Sequence, residues 1–223
     1  MAVSSLKKLR VYLADDHPLT LAGVQEFLSR DVNIEVEQAV SNSSELVRAL
    51  RESIPDIVIT DYTMPGDSQY GDGIRFVEYL VRNFPEAKIL VLTMVSNPMI
   101  LAELYSAGVW GVLLKHEKLT EITGAIYNVR LGNKYYPQSY SKQEQEQESA
   151  GKDTMEEKVN TLSPREFEVL RLFVRGEGVA QIAQNLNRSV KTVSTQKRSA
   201  MKKLGVPTDQ DLIAFCVEHA MFS

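Results

Sequence analysis

The sequence predicts an α/β domain with a doubly wound, parallel five-stranded sheet, followed by a small all-α domain of four helices. Three observations predict this fold class. Five apolar, strand-like runs alternate with five helical patterns over residues 9–130, which is typical of a parallel sheet with helices on both faces. Residues 57–59 are a continuous β-branched run, Ile-Val-Ile, as in a strand that is buried on both faces. From residue 159 onwards the apolar spacing is helical.

The elements of the first domain, residues 1–137, follow one another as five β-α pairs. The predicted strands are 9–13, 34–40, 57–60, 88–93 and 112–114, and the predicted helices are 18–29, 44–51, 74–82, 99–106 and 120–130. Asn42 with Glu45 resembles a capping box, and Gly108 and Gly132 follow helices as C-terminal stops. We expect the flavodoxin-like strand order 2-1-3-4-5, in which strands 1 and 3 meet at the topological switch point.

Polar side chains stand at the carboxyl ends of four predicted strands. They are Asp15 and Asp16 after the first strand, Asp61 after the third, Thr93 at the end of the fourth and Lys115 after the fifth. Because open α/β sheets bind ligands at this edge, we expect the five side chains to converge. Three carboxylates repel one another unless a cation is present, and an all-oxygen cluster favours Mg²⁺ over zinc. A carboxylate nucleophile beside a hydroxyl and an amine indicates phosphoryl chemistry.

Other reactive residues have simpler explanations. A single aspartate at the end of a strand is more often a cap or turn residue, so the joint pattern carries the functional interpretation. His17, His116 and His219 are scattered without metal-ligand spacing, and we expect loop or packing roles. Cys216 is the only cysteine, which excludes an intramolecular disulfide and favours a reducing compartment. We expect Cys216 to be a buried small hydrophobe.

Charge divides the chain into three parts. The net charge is −4 over residues 1–137, −3 over 138–158 and +3 over 159–223, so the last part is the candidate for contact with a polyanion. Residues 138–158 are polar and acidic, and we predict a flexible linker whose ends lie roughly 25 Å apart. No apolar run approaches the ~20 residues of a membrane helix, and no apolar signal core is present at the N-terminus. We expect a cytoplasmic protein without a membrane partner.

The last domain, residues 159–223, has the pattern of a helix-turn-helix. Ser163 is the expected N-cap of its first helix, with Pro164 at the first helical position and Glu166 completing a capping box. A short helix at 179–186, a turn at 187–189 and a helix at 190–204 follow, and residues 211–217 supply a fourth helix with a core face and a candidate dimer surface.

The helix at 190–204 is about 22 Å long, which suits a DNA major groove. Its expected core positions are Val193, Ala200, Met201 and Leu204. Its outward positions are expected to contact base edges (Ser194, Thr195 and Arg198) or phosphates (Lys191, Lys197 and Lys202). A solvated polar face is the alternative for an isolated basic helix, and the preceding short helix and turn favour DNA binding.

The first domain resembles the response-regulator receiver over residues 7–131. The residues that carry the resemblance are Asp15-Asp16, Asp61 with Met64-Pro65, Thr93 and Lys115. It implies that Asp61 is the phosphoacceptor and that Thr93 and Lys115 bind its phosphoryl group. The implied Mg²⁺ ligands are Asp15 or Asp16, Asp61 and the backbone region of Tyr62 or Thr63. Two positions depart from the family: Val112 replaces the usual aromatic switch residue, and Met94 replaces a small residue, which would crowd the phosphoryl group and slow its loss.

Residues 162–206 resemble the LuxR-type helix-turn-helix through Leu-Ser-Pro-Arg-Glu-Phe-Glu-Val-Leu, Ile-Ala-Gln-Asn-Leu, Lys-Thr-Val-Ser-Thr-Gln and Lys-Lys-Leu-Gly-Val. A receiver joined to this domain is typical of the NarL/FixJ class of response regulators. The lengthened loop at 64–73 and Gln196 are similar to the RcsB subgroup of that class.

The resemblance implies a transcription factor in a two-component system or phosphorelay. A histidine kinase or histidine phosphotransfer protein would phosphorylate Asp61, which would drive homodimerisation and sequence-specific DNA binding. One alternative is a heterodimer partner of an auxiliary regulator that acts independently of phosphorylation. Another is an aspartate-nucleophile phosphatase, which would need a cap insertion; the first domain has no long insertion, and we predict that the protein is not an enzyme.

Overall fold

The computed structural model describes residues 7–67, 69–137, 155–219 and 221–222. The chain divides into two compact units: the first is built on a sheet, and the second contains the last five helices together with residues 94–103. Most of the predicted linker, residues 138–154, lies outside the described residues. Within the described ranges, no helix has the length and apolar content needed to cross a membrane.

The first unit contains five parallel strands in the order β2-β1-β3-β4-β5. The strands are β1 (Leu9–Ala14), β2 (Ile34–Val40), β3 (Ile57–Asp61), β4 (Lys88–Thr93) and β5 (Gly111–Leu114). The helices that follow them are α1 (Pro18–Ser29), α2 (Ser43–Glu52), α3 (Gly73–Asn83), α4 (Pro98–Ala107) and α5 (Thr120–Arg130). The predicted α/β fold class and strand order are confirmed.

Strand β3 occupies the centre of the sheet between β1 and β4. Val58 pairs with Tyr12 on one side and with Ile89 on the other. All five residues of β3 are buried, as its β-branched run predicts, since a central parallel strand has no face towards water. Each buried valine or isoleucine side chain contributes roughly 1.5–3 kcal/mol. This packing holds the last residue of the strand, Asp61, at the carboxyl edge of the sheet.

Strand β5 is an edge strand, and a tyrosine from α4 covers its outer side. The Tyr105 hydroxyl accepts the N–H of Val112 at 3.2 Å and donates to the carbonyl oxygen of Tyr135 at 2.6 Å. Gly111 lies beside this contact, where an added Cβ would be 2.8 Å from the Leu90 side chain and 3.0 Å from Tyr135. The close approach of these backbones therefore requires glycine.

We expect Tyr105→Phe to lower the free energy of unfolding of the first unit by about 1–2 kcal/mol, because a buried N–H and a carbonyl lose their shared partner. Trp110, the only tryptophan, reports this unfolding by its fluorescence in urea. Tyr79→Phe is the matched control, since the Tyr79 hydroxyl accepts a long, exposed hydrogen bond of 3.5 Å; its expected change is within about 0.5 kcal/mol. Equal losses for the two variants would contradict this role of the Tyr105 hydroxyl.

The last five helices of the chain all belong to the second unit. They are α6 (Met155–Asn160), α7 (Pro164–Val174), α8 (Val179–Asn185), α9 (Val190–Leu204) and α10 (Asp209–Glu218). An apolar cluster shared by α7, α8 and α9 consists of Val169, Leu172, Ile182, Ala183 and Val193, with Phe173, Val179 and Leu186 packed against it. The predicted four helices are all present, and Cys216 is a buried free thiol on α10.

Helix α6 differs from the sequence prediction, because residues 155–158 were expected in the flexible linker. The helix lies against α9, and just after it the carbonyl oxygen of Thr161 accepts a hydrogen bond from Lys203 Nζ at 2.9 Å. A six-residue helix is unstable alone in water. Its formation therefore depends on tertiary packing, which local sequence patterns do not contain.

Candidate functional site

Three of the predicted site residues are joined by ion pairs at the carboxyl edge of the sheet. Asp61 is the last residue of β3 and Asp15 follows β1, and each is only 3% exposed. Lys115, directly after β5, places its Nζ 2.8 Å from Asp61 Oδ2 and 2.9 Å from Asp15 Oδ2. A single ammonium therefore holds two buried carboxylates from different strands, as the switch-point argument predicts.

Burial and charge oppose one another at this cluster. Burial raises the pKa of Asp61 to about 6, and the Asp15 charge adds to this, while Lys115 and the N–H of Thr63 act to lower the pKa. Burial alone lowers the pKa of Lys115, but the Asp61 and Asp15 carboxylates more than offset it, so that the pKa is raised. The site therefore keeps Lys115 as a cation and favours any further positive charge near the carboxylates.

The sequence interpretation set His17 aside, but the structure places it in the acidic cluster. Its Nδ1 lies 2.8 Å from Asp16 Oδ1 and 3.3 Å from Asp15 Oδ1, and its backbone N–H donates to Asp15 Oδ1 at 2.8 Å. One ligand atom from each of Asp15, Asp16, His17 and Asp61 lies within 4.8 Å of the others. The sequence feature that could have predicted this place for His17 is its position directly after Asp15 and Asp16.

The donor set fits a hard divalent cation. Asp16 Oδ1 is buried and accepts no well-directed hydrogen bond among the described residues. Three carboxylates face one another, with one ammonium between two of them. Carboxylate oxygens are the ligands that Mg²⁺ prefers. The acidic cluster is therefore compatible with Mg²⁺, as predicted.

The other predicted switch residue, Thr93, and the two positions that depart from the receiver pattern, Met94 and Val112, lie on or next to β4 and β5. Thr93 ends β4 with its side chain buried, and its carbonyl oxygen accepts the N–H of Lys115 at 2.8 Å. Met94 follows it and is exposed, whereas Val112 is fully buried in β5. The backbone of β4 is thus hydrogen-bonded directly to the lysine that holds Asp61.

The loop after β3 is anchored by a carboxylate that the sequence interpretation did not single out. Asp67 Oδ2 accepts the N–H of Ser44 at 2.7 Å in the first turn of α2, and Oδ1 accepts the N–H groups of Gln69 and Tyr70 at 2.9 and 3.0 Å. Burial would raise the pKa of Asp67, but these hydrogen bonds lower it to about 2. The lengthened loop is therefore tied to a neighbouring helix.

The turn of the helix-turn-helix has specific local chemistry. Asn187 adopts a φ of 51°, a left-handed conformation that asparagine tolerates better than most residues. Ser189 caps α9 by accepting the N–H of Thr192 at 3.0 Å. The Arg188 guanidinium donates to Gln196 Oε1 at 3.2 Å, so the glutamine of the subgroup motif ties the turn to α9.

Most of the predicted DNA-contacting residues face outward on α9. Lys191, Thr195, Arg198 and Lys202 are exposed and Ser194 is partly exposed. The Thr195 hydroxyl donates to the carbonyl oxygen of Lys191 at 2.9 Å and retains its acceptor capacity. Of the predicted core positions, Val193, Ala200 and Leu204 are buried, whereas Met201 is only partly buried, because it lies at the edge of the inward face.

Lys197 does not face outward as predicted. Its Nζ lies 2.7 Å from both carboxylate oxygens of Asp209 and 3.8 Å from the centroid of the Phe173 ring. Its side chain is 14% exposed. The ion pair joins residues 12 positions apart, so the spacing within α9 alone could not predict it.

The predicted capping box of α7 is present and extends into a network. Ser163 and Glu166 cap one another, and Glu166 also accepts hydrogen bonds from Ser199 at 2.7 Å and Lys203 at 2.6 Å. Burial would raise the pKa of Glu166, but Lys203, Ser199 and Ser163 lower it to about 2 from an ordinary value of 4.5. One carboxylate therefore joins α7 to α9.

We expect Glu166→Gln to destabilise the second unit by about 2 kcal/mol at pH 7. The two pKa values set an upper limit of about 3 kcal/mol, and Lys203 is 36% exposed, which weakens the pair. Because the folded-state pKa is depressed, the stabilisation is complete above pH 4.5 and disappears as the pH falls towards 2.

Amide hydrogen exchange of α7 and α9 in the full chain, at several pH values, measures this difference. The wild type and Glu166→Gln should converge at low pH. Glu177→Gln is the control, since Glu177 accepts a hydrogen bond from Asn185 at the surface and its replacement should have a small effect. A Glu166→Gln deficit that stays constant down to pH 2 would contradict the assignment.

Comparison with known proteins matches both units. The response regulator receiver domain family matches residues 11–127, and the family of bacterial regulatory proteins called the luxR family matches residues 160–216. The transcriptional regulatory protein RcsB of Escherichia coli strain K12 is 39% identical over 210 residues, which are 94% of each chain.

Two solved structures extend the comparison. RcsB from Salmonella enterica serovar Typhimurium, bound to promoter rprA in the presence of phosphomimetic BeF3-, is 37% identical with a TM-score of 0.74, over 94% of this chain and 98% of that one. A structure of two RcsB dimers bound to two parallel DNAs is 37% identical with a TM-score of 0.59, over 97% of this chain and 100% of that one.

Proposed function

The chain belongs to the NarL/FixJ class of response regulators and is RcsB-like, as the two family matches and the relatives show. From this premise we propose a mechanism. Such proteins regulate transcription and are not enzymes. We infer that phosphorylation of Asp61 controls dimerisation and sequence-specific DNA binding. The observation that carries this proposal is the meeting of Asp61, Asp15 and Lys115 at the end of β3, in a chain that also carries a helix-turn-helix.

The proposed chemical step is nucleophilic attack by Asp61. A carboxylate oxygen forms a bond to the phosphorus of a phosphohistidine while the N–P bond breaks, and the electron pair of that bond returns to the imidazole nitrogen. The donor is a histidine kinase or a histidine phosphotransfer protein. The phosphorylated side chain carries about −1.5 to −2 charges in place of the −1 of the carboxylate, in a buried place where charge must be compensated.

Lys115 and Thr93 are the residues that would respond to this charge. Before phosphorylation the Lys115 ammonium is shared between Asp61 and Asp15, and a phosphoryl group offers it a stronger partner. Thr93 would donate its hydroxyl to a phosphoryl oxygen. A complete swing from monomer to dimer takes about 5.5 kcal/mol of differential stabilisation, and Met94 beside Thr93 would slow loss of the phosphoryl group.

Asp15 or Asp16, with Asp61 and the carbonyl group of Thr63, would hold Mg²⁺. The bound ion would supply positive charge against the transferred oxygens. Asp16 supports this assignment because its buried Oδ1 lacks a well-directed hydrogen bond among the described residues. His17 would then help to orient Asp15, whose Oδ1 accepts the backbone N–H of His17 at 2.8 Å.

DNA is the proposed target of α9. Arg198, Ser194 and Thr195 would contact base edges, and Lys191 and Lys202 would contact phosphates. A single domain offers few phosphate contacts, so tight binding requires a homodimer on two half-sites about one helical turn apart. The BeF3- complex of RcsB on promoter DNA and the RcsB dimers on DNA support this arrangement. The proposed compartment is the cytoplasm, where a bacterial regulator meets DNA.

A genome-wide map of bound DNA in cells with wild-type protein or Asp61→Asn tests the proposal. We expect sites with two half-sites in the wild type and loss of most of them in the variant. Asp56→Asn, directly before the other end of β3, is the matched control. An unchanged map in Asp61→Asn would favour the alternative function, a heterodimer partner that acts independently of phosphorylation.

A further inference from the structure

We propose that Lys197 is a positioning residue of the recognition helix, fixing α9 to α7 and α10 instead of contacting a DNA phosphate. This inference rests on the proposed DNA-binding function and assigns a different role to one of the six residues predicted to face DNA. The ion pair of Lys197 with Asp209 and its contact with the Phe173 ring carry it.

The contacts of Lys197 connect three helices. Asp209 is the first residue of α10, where a negative charge is favourable at the N-terminal end of a helix. Phe173 belongs to α7 and packs against the apolar cluster of the helix-turn-helix. The ammonium lies 2.7 Å from both oxygens of Asp209 and 3.8 Å from the Phe173 ring, so that an ion pair and a cation–π contact act together.

The Lys197 ammonium is already neutralised. To contact a phosphate, Lys197 would have to break its contact with both oxygens of Asp209 and move away from the Phe173 ring. In its present position only 14% of the lysine side chain is exposed. Lys191 and Lys202 are exposed and form no ion pair within the described part of the chain. These two lysines can meet a phosphate without losing a partner.

The location of Lys197 in α9 makes its contacts relevant to base recognition. Neighbouring residues on a helix point about 100° apart, so Lys197 can face α7 and α10 while Arg198 faces outward. A bidentate contact of arginine with guanine has strict geometry. Loss of the Lys197 contacts would let α9 shift relative to α7 and α10. The affinity for the specific DNA site would then fall more than the affinity for non-specific DNA.

Asp209→Asn in the full-length chain separates the two roles. DNA binding is titrated at several salt concentrations, on the strongest site from the map of bound DNA and on a scrambled duplex. If Lys197 positions α9, the ratio of specific to scrambled affinity should fall roughly threefold to tenfold. If Lys197 were a phosphate contact, removing Asp209 would free it, and both DNAs would bind more tightly with an unchanged ratio.

Three further variants complete the test. Lys197→Met should lower the ratio as Asp209→Asn does, and the double variant should be no worse than either single one, because the same contact is lost. Lys197→Arg should restore the ratio, since arginine keeps both the charge and the ring contact. Lys202→Met is the phosphate-contact control, and it should lower both affinities equally and reduce the salt slope by ~1.

The outcomes test the positioning role of Lys197 separately from the proposed DNA-binding function. A wild-type protein that does not discriminate between the two DNAs would overturn both. Wild-type discrimination with an unaltered ratio in Asp209→Asn, or a salt slope reduced by ~1 in Lys197→Met, would overturn the role of Lys197 alone. Thermal unfolding of each variant, with measurements made well below its midpoint, ensures that the ratio reports on folded protein.

Discussion

Acetyl phosphate with Mg²⁺ is expected to add one phosphoryl group to the wild-type protein and none to Asp61→Asn. Asp61 is the buried carboxylate whose pKa is raised to about 6, chiefly by burial, and Lys115 holds it at 2.8 Å. Asparagine keeps the size of the side chain but has no nucleophilic oxygen of comparable strength. Intact-mass measurement after a short incubation counts the adducts directly.

Asp56→Asn is the matched control for this experiment. It makes the same substitution on the same stretch of chain, just before β3 begins, where the carboxylate accepts the backbone N–H of Arg10 at 2.8 Å. We expect full labelling of this variant. Equal labelling of Asp61→Asn and wild type would move the phosphoacceptor to another residue, and the mechanism proposed for Thr93 and Lys115 would lose its basis.

Arg198→Ala is expected to cost roughly 1–3 kcal/mol of binding to the specific DNA site and to relax one position of that site. Arg198 is exposed on α9, and it shares a face with Ser194 because the two are four residues apart. Guanidinium groups contact guanine through two hydrogen bonds. Loss of such a contact should affect scrambled DNA much less than the specific site.

Lys202→Ala is the control variant that separates loss of a base contact from loss of a phosphate contact. The lysine is exposed near the end of the same helix and is a point charge suited to the DNA backbone, so its loss should weaken binding to all sequences alike and reduce the salt slope by ~1. Both variants are titrated on specific and scrambled DNA at several salt concentrations. If Arg198→Ala lowered the affinity for both DNAs equally and Lys202→Ala abolished the discrimination between them, α9 would bind DNA in a different orientation from the one proposed here.

Local patterns were sufficient for most of the fold. Each strand and helix of the first unit begins and ends within one residue of its predicted position, because apolar periodicity, caps and glycine stops act over a few neighbouring residues. The strand order is the flavodoxin-like order that was expected, one of the common orders of doubly wound sheets. Helix α6 was missed since its stability comes from packing against α9 rather than from its own sequence.

The sequence alone determined that Asp15, Asp61 and Lys115 would meet, because all three stand at the ends of parallel strands and a parallel sheet brings those ends to one edge. Only the tertiary structure decided which partners some side chains would take. Glu166 forms an ion pair with Lys203, 37 residues away, and Lys197 forms one with Asp209 instead of facing solvent. Those choices depend on distances between separate helices, and a side chain faces whichever neighbouring element compensates its charge when the helices pack.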